Sequence, residues 1–362
     1  MRLTKKSLIP MKINKPIRHN KVNTTINSLL IDGEYLLKQG FHGTKQLQGK
    51  EGSVGTIFHF INTIKRFYQD YAVTKVVVFW EGKGSKDYRQ GYYPYYKQNR
   101  DNKVTIDEKH DLDRQRIRIK QYLEELSIRQ VEIDGCEADD GIAYYSMNSV
   151  NESKIVYTND RDLLQLLDEN TKVCLTIKGA KVMINMDNFD SYFDYHYSNV
   201  GIIKMIAGDT SDNISGLQNI GEQKVLKYFP EIKKQTVNQD WVIDRTKELL
   251  IEKPNDKTLN TIINGETKWG TYGTDYFSVM NKIINLKEPH VTDELKEAIS
   301  EMVNETLSPE GRGGIKKIME MMKEDELLNF LPRNDDSFFT FWSSFITIIK
   351  KEESLYHKKK ML

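Results

Sequence analysis

Acidic residues stand directly behind several of the short apolar runs, and this placement constrains the fold more than any other feature. Asp32 follows the run 28–31 (SLLI) and Glu81 follows 76–80 (VVVFW). Asp160 follows 155–158 (IVYT) after one Asn, with Asp162 two residues on. Further strand-like runs are 131–133 and 173–175. Between the first two runs, Val54, Ile57, Phe58, Ile61, Ile64 and Phe67 recur at helical spacing, and 108–127 and 138–150 also read as helices. Short strands alternating with helices describe an α/β fold with a parallel twisted sheet flanked by helices. Ligands of such sheets bind beyond the carboxyl ends of the strands, so these acids are expected to converge on one rim.

Two more acidic groups belong with them. Glu137, Asp139 and Asp140 open a helix in CEADDGIAYY, and Asp209 and Asp212 lie three apart in AGDTSDNISG, on one face if that turn is helical. Singly, each has an ordinary explanation as a helix cap or a turn residue. Together, converging carboxylates without bases repel one another and need cations. Oxygen-only ligation, with no His or Cys, points to Mg²⁺ or Mn²⁺. A pair of such ions suits phosphoryl transfer, activating water and stabilising a leaving oxygen.

The segment after Glu81 is basic and aromatic. Residues 83–103 hold six Lys/Arg against two acids, interleaved with Tyr88, Tyr92, Tyr93, Tyr95 and Tyr96. Cations track phosphates and aromatic faces stack on bases. Lys97 and Arg100, three apart, would aim at one point from a helix and so neutralise a scissile phosphate. The alternative is a solvated loop whose tyrosines pack on the core. Farther on, Gly216-Leu-Gln-Asn-Ile220-Gly221, then Lys224, reads as a tight hairpin between two helices. Its glycines would let duplex backbone approach, without reading bases.

Composition bounds the class. The chain has 362 residues, 38% apolar and 29% charged, with 53 Lys+Arg against 52 Asp+Glu. Near-neutrality hides segregation: residues 1–25 carry seven Lys/Arg and no acid, and read as a flexible basic arm. No run reaches the ~18–20 apolar residues of a membrane span. The basic start lacks the apolar region of a secretory signal. Two cysteines outside any CxxC pair exclude a thiolate zinc site and a disulfide framework, and imply a reducing, cytoplasmic setting. Beyond about residue 230 the strand signal fades into helical segments such as 315–329 and 338–351, with a loop at 311–314.

Asp32, CEADD, TNDRDLLQL, AGDTSDNI and GLQNIGEQK occur in an order that resembles the 5′-nuclease (flap endonuclease) superfamily over about residues 26–230. YYKQNR and the layout are similar to its bacteriophage branch of 5′–3′ exonucleases and phage ribonucleases H. The resemblance implies a PIN-like nuclease core at 26–208 with a helical arch at about 83–125. It also implies a helix–hairpin–helix duplex clamp at 209–235, leaving 236–362 as a helical C-terminal region. It implies one metal group at Asp32, Glu81, Glu137 and Asp139 and another at Asp160, Asp162 and Asp209, with Asp140 and Asp212 nearby or bridged by water. Lys97 and Arg100 match cations that contact the scissile phosphate, and Tyr96 a residue placed to stack on a terminal base. The hairpin, with Gly216, Ile220, Gly221 and Lys224, matches an element that holds duplex phosphate, often with K⁺. The family carries Asp where Glu81 stands, so Glu81 would ligate with a shifted carboxylate or through water. The implied partners are DNA, RNA–DNA hybrid and flap structures, with a sliding clamp or single-strand-binding protein beside them in replication. Two other readings compete: a branched-DNA-binding module with a decayed site, and a PIN-type ribonuclease acting on single-stranded RNA.

Overall fold

The computed structural model describes residues 26–44, 47–50, 52–100, 105–330 and 336–361; the basic arm at 1–25 lies outside them. Six strands form the central sheet: β1 Ser28–Asp32, β2 Lys75–Phe79, β3 Arg129–Val131, β4 Lys154–Tyr157, β5 Thr171–Ile177 and β6 Ala180–Ile184. Their order is β3-β2-β1-β4-β5-β6, parallel except for the last pair. β2 and β3 are laid down on one side of β1, and the chain then returns to its other side with β4. That reversal between β1 and β4 opens a crevice at their carboxyl ends.

Strand alternation divides the core. Leu29 and Ile31 of β1 belong to one apolar cluster with Val76, Val78, Ile155 and Tyr157, whereas Leu30 joins the opposite one with Val77 and Val156. Helices Gly33–Gly43 (α1) and Gly55–Tyr71 (α2) cover the first face. The second face receives helices Ala138–Asn148 and Val200–Ala207, together with C-terminal helices that include Tyr276–Ile284. β6 has no counterpart among the strand-like runs of the sequence. It pairs antiparallel with β5 through Lys178–Gly179, both at positive φ (49° and 81°), the geometry of a two-residue hairpin.

The C-terminal part is mostly helical, interrupted by a small hairpin, Glu266–Thr267 with Gly270–Thr271. Helices Gly314–Glu324 and Asp336–Lys360 return to the first face, where Ile318, Met321, Trp342 and Phe345 complete the cluster around Ile57 and Phe60. Buried Arg129 at the edge strand donates to both carboxylate oxygens of buried Glu352, at 3.1 and 2.8 Å. Among the described residues no helix is long and apolar enough to cross a membrane.

Candidate active site

A cavity of about 1200 Å³ opens at the carboxyl ends of the strands, and Asp32, Glu81, Asp139, Asp160, Asp162 and Asp209 line it. Asp32 is placed by two roles at once: it ends β1 and caps α1, accepting from the Tyr35 N–H at 2.9 Å. Its second oxygen accepts from Thr158 Oγ1 at 2.9 Å, tying β1 to the end of β4. Asp160 accepts from the Asp162 N–H at 2.8 Å and so caps the short 3-10 turn Arg161–Leu166, which turns Asp162 toward the same space. Asp160, Asp162 and Asp212 each bring a carboxylate oxygen within 4.8 Å of the other two.

The electrostatics show a shortage of positive charge. Burial, reinforced by Asp160 and Asp139, pushes Asp32 up to about 6. Burial, with Asp139 and Asp32 as neighbours, pushes Glu81 up to about 7 in spite of Lys97. Burial also raises Asp160 and Asp162. Such shifts mean the cluster would gain from a cation, and its donors are all oxygens. The residues present therefore fit divalent ions of the Mg²⁺ or Mn²⁺ type.

One internal cation answers part of this shortage, and sequence reasoning missed it. Buried Lys204 donates to Asp162, and its ammonium lies 2.8 Å from Asp209 and 3.7 Å from Asp212. Burial alone would lower its pKa, but these acids and Asp160 raise it. Asp209 shows the reciprocal effect: burial works against it, yet Lys204 and Ser211 bring it down to about 2. The available signal was a single charge in an otherwise apolar helix, VGIIKMIA.

Several expectations need correction. Asp209 and Asp212 share no helical face: Asp209 pairs with Ile214 as a β-bridge, and a turn separates the two acids. Lys97 sits on no helix either. It has φ +54°, donates its N–H to Asp212 O at 2.8 Å, and buries its ammonium against Glu137. Arg100 ends a 3-10 turn, Gln98–Arg100, and its side chain lies outside the described residues. Tyr96 is 2% exposed and its hydroxyl donates to Glu137 at 3.0 Å, so its ring belongs to the core and offers no face to a base. Glu137 is fully buried behind the cavity wall.

Asp140 is withdrawn from the cluster. Arg89 grips it with two hydrogen bonds of 2.6 and 2.8 Å, and His290 donates its N–H at 3.0 Å. Arg89 also reaches Ile283 O at 2.8 Å, so this carboxylate joins the core to the C-terminal helices. The glycine segment is a longer loop than a tight hairpin, running from 208 to 221 between helices Val200–Ala207 and Glu222–Tyr228. Gly216 (φ +62°) and Gly208 (φ +81°) cross backbone to backbone, and a Cβ on either would strike the other strand of the loop. Gly216 thus serves the chain's own packing, whereas Gly221 faces open space at the cavity wall. Ile220 is buried, and Lys224 donates to Asn219 O at 2.9 Å.

An α/β sheet with acids gathered at its reversal point defines the class of proteins that work at strand carboxyl ends. Residues 27–194 match the family model for the 5′–3′ exonuclease, N-terminal resolvase-like domain. The 5′–3′ exonuclease of Halalkalibacterium halodurans is 31% identical over 55% of this chain and 67% of its own length. That of Bacillus subtilis is 33% identical over 56% of this chain and 69% of its own length. This chain belongs to the 5′–3′ exonuclease family. The fold is also that of the bacteriophage T5 flap endonuclease solved with DNA and metal ions, with TM-score 0.56 at 18% identity, covering 83% of this chain and 99% of that one.

Proposed function

We propose that this protein is a divalent-metal-dependent 5′ nuclease that hydrolyses phosphodiesters in flap DNA or RNA–DNA duplexes and removes RNA primers during replication. The observation that carries this reading is the oxygen-only carboxylate group at the β1/β4 crevice, where Asp160, Asp162 and Asp212 converge opposite Asp32, Glu81 and Asp139. In this reading Asp160, Asp162, Asp209 and Asp212 hold one ion. Asp32, Glu81 and Asp139 hold the other, with Glu137 orienting Lys97 behind them. Bound Mg²⁺ or Mn²⁺ would supply Lewis acidity for a water and for the leaving oxygen. Lys97 and Arg100 stand at the foot of the arch segment and balance phosphate charge, Lys97 by leaving Glu137 when substrate enters. The 208–221 loop and the helix that follows it, through Gly221 and Lys224, hold duplex backbone, with K⁺ as counter-ion.

The geometry supports catalysis over passive binding, because a decayed site would not keep six acids lining one cavity beside a buried lysine. Cleavage of a 5′-labelled flap, an RNA–DNA duplex and single-stranded RNA of the same sequence, in Mg²⁺ and in chelator, tests the proposal. Metal-dependent cleavage of the branched or hybrid substrates, abolished in Asp160→Asn, is expected. Tight flap binding without turnover would favour the decayed module, and preferred cleavage of single-stranded RNA the PIN-type ribonuclease.

A further inference from the structure

One aromatic ring and one lysine on the wall of the acid cavity, with a second ring stacked behind the first, have no part in the proposed metal chemistry. Trp269, at the turn of the small C-terminal hairpin, lines the cavity together with Lys268. One face of its indole stacks on Tyr95, with centroids 4.3 Å apart and planes 13° apart. The Lys268 ammonium lies 4.3 Å from the same ring. Lys268 is exposed and, among the described residues, has no carboxylate partner. We propose that Trp269, backed by Tyr95, is a stacking platform for a nucleobase of the substrate, and that Lys268 binds the adjoining phosphate.

The platform is tied to the loop that carries Asp209 and Asp212. Thr267 bridges to Leu217, and the Gln218 N–H donates to Glu266 O at 2.8 Å, so the hairpin extends the 208–221 loop. The hairpin turn is closed from within: Thr267 Oγ1 donates to Gly270 O at 2.8 Å and accepts the Trp269 N–H at 3.1 Å. Tyr95 is held from its own side, its carbonyl accepting from Asn213 Nδ2 at 2.7 Å. Asn213 is the neighbour of Asp212, which makes the stack rigid with respect to the carboxylate group. A ring fixed in this way loses little freedom on binding, and an exposed lysine can leave its face when a base takes its place. Base–aromatic stacking tolerates any sequence, which suits an enzyme that recognises structure. Tyr96, the neighbour expected to stack on a base, is sealed in the core, so the arch segment presents Tyr95 through Trp269.

This proposal rests on the nuclease reading, and the test separates the two. Flap DNA carrying 2-aminopurine at successive positions near the junction is titrated onto the wild type, Trp269→Leu, Trp269→Tyr and Lys268→Ala. Trp269→Leu removes the flat ring and leaves a smaller apolar side chain, so thermal unfolding of each variant checks the fold. The platform predicts one position whose fluorescence is quenched by the wild type and Trp269→Tyr but not by Trp269→Leu. It also predicts a KM raised about tenfold in Trp269→Leu, with kcat changed far less, the equivalent of one stacked base. Lys268→Ala lowers the salt dependence of binding by about one ion. If the wild type cleaves flaps and Trp269→Leu matches it in KM and quenching, the platform is refuted and the nuclease reading stands. If the wild type neither cleaves nor binds any of these substrates, both fall together.

Discussion

Replacing Lys204 with Met asks whether the buried lysine and a divalent ion serve the same carboxylates. Met preserves most of the aliphatic stem, so the perturbation is the loss of one charge among Asp162, Asp209 and Asp212. Lys204 contacts all three, at 2.8 Å from Asp209 and 3.7 Å from Asp212, and its side chain is 9% exposed. Removing one partner of a buried pair costs about 3–5 kcal/mol, because the other charge stays behind unpaired. Asp209 is partly exposed, and Asp162, already raised by burial, can take up a proton; both limit the loss, which places it near the lower end of that range. Urea unfolding in chelator at neutral pH is therefore expected to show a loss of about 3 kcal/mol. In millimolar Mg²⁺ the ion replaces the missing charge, and the difference from wild type falls below about 1 kcal/mol. The variant also binds Mg²⁺ more tightly, since no lysine competes, and its metal-dependent stabilisation rises with that affinity. Equal destabilisation with and without Mg²⁺ would refute the reasoning, because Lys204 and the metal would then not share ligands.

Other consequences are open to measurement. In chelator, stability falls as pH rises through the range between the unfolded values of Asp32 and Glu81 (3.8 and 4.5) and their folded values of about 6 and 7. Both acids bind their protons more tightly when folded, so their contribution is complete at low pH and lost above the folded values; Mg²⁺ flattens this part of the pH–stability curve. Glu352→Ala strands buried Arg129 and costs about 3–5 kcal/mol by urea unfolding, while the double change Arg129→Met with Glu352→Met recovers most of the loss. Gly216→Ala, at φ +62° and facing the backbone of Ala207 and Gly208, loses more than about 1–3 kcal/mol of stability. Gly221→Ala, with open space at its Cβ, keeps wild-type stability by thermal unfolding and weakens duplex binding alone.

The sheet was legible because its central strands are continuous apolar runs and its acids follow them directly, as in Leu30-Ile31-Asp32. Legibility failed where tertiary partners decide. Asp139 and Asp140 look equivalent in sequence, yet consecutive helical positions point about 100° apart, so only one can face the cavity. Arg89 claims the other, and nothing in a run of basic residues marks it out from Lys83 or Lys86. The turn at Lys97 escapes helical spacing because the segment is held by bonds to residues distant in sequence, Lys97 N–H to Asp212 O and Asn99 Nδ2 to Thr210 O. Trp269 lies in a hairpin of two-residue strands, too short for any periodicity to register.

The Arg129–Glu352 pair joins residues 223 positions apart. On a ribosome adding about 5–20 residues per second, the edge strand thus waits on the order of ten to forty seconds for its partner. Through most of that interval Ile57 and Phe60 are made, but the residues that will cover them, Trp342 and Phe345, are not. The acid rim is complete in sequence by Asp212, well before that cover arrives. A nascent chain of this protein therefore carries its full set of rim acids on a half-clad sheet until the last helix docks.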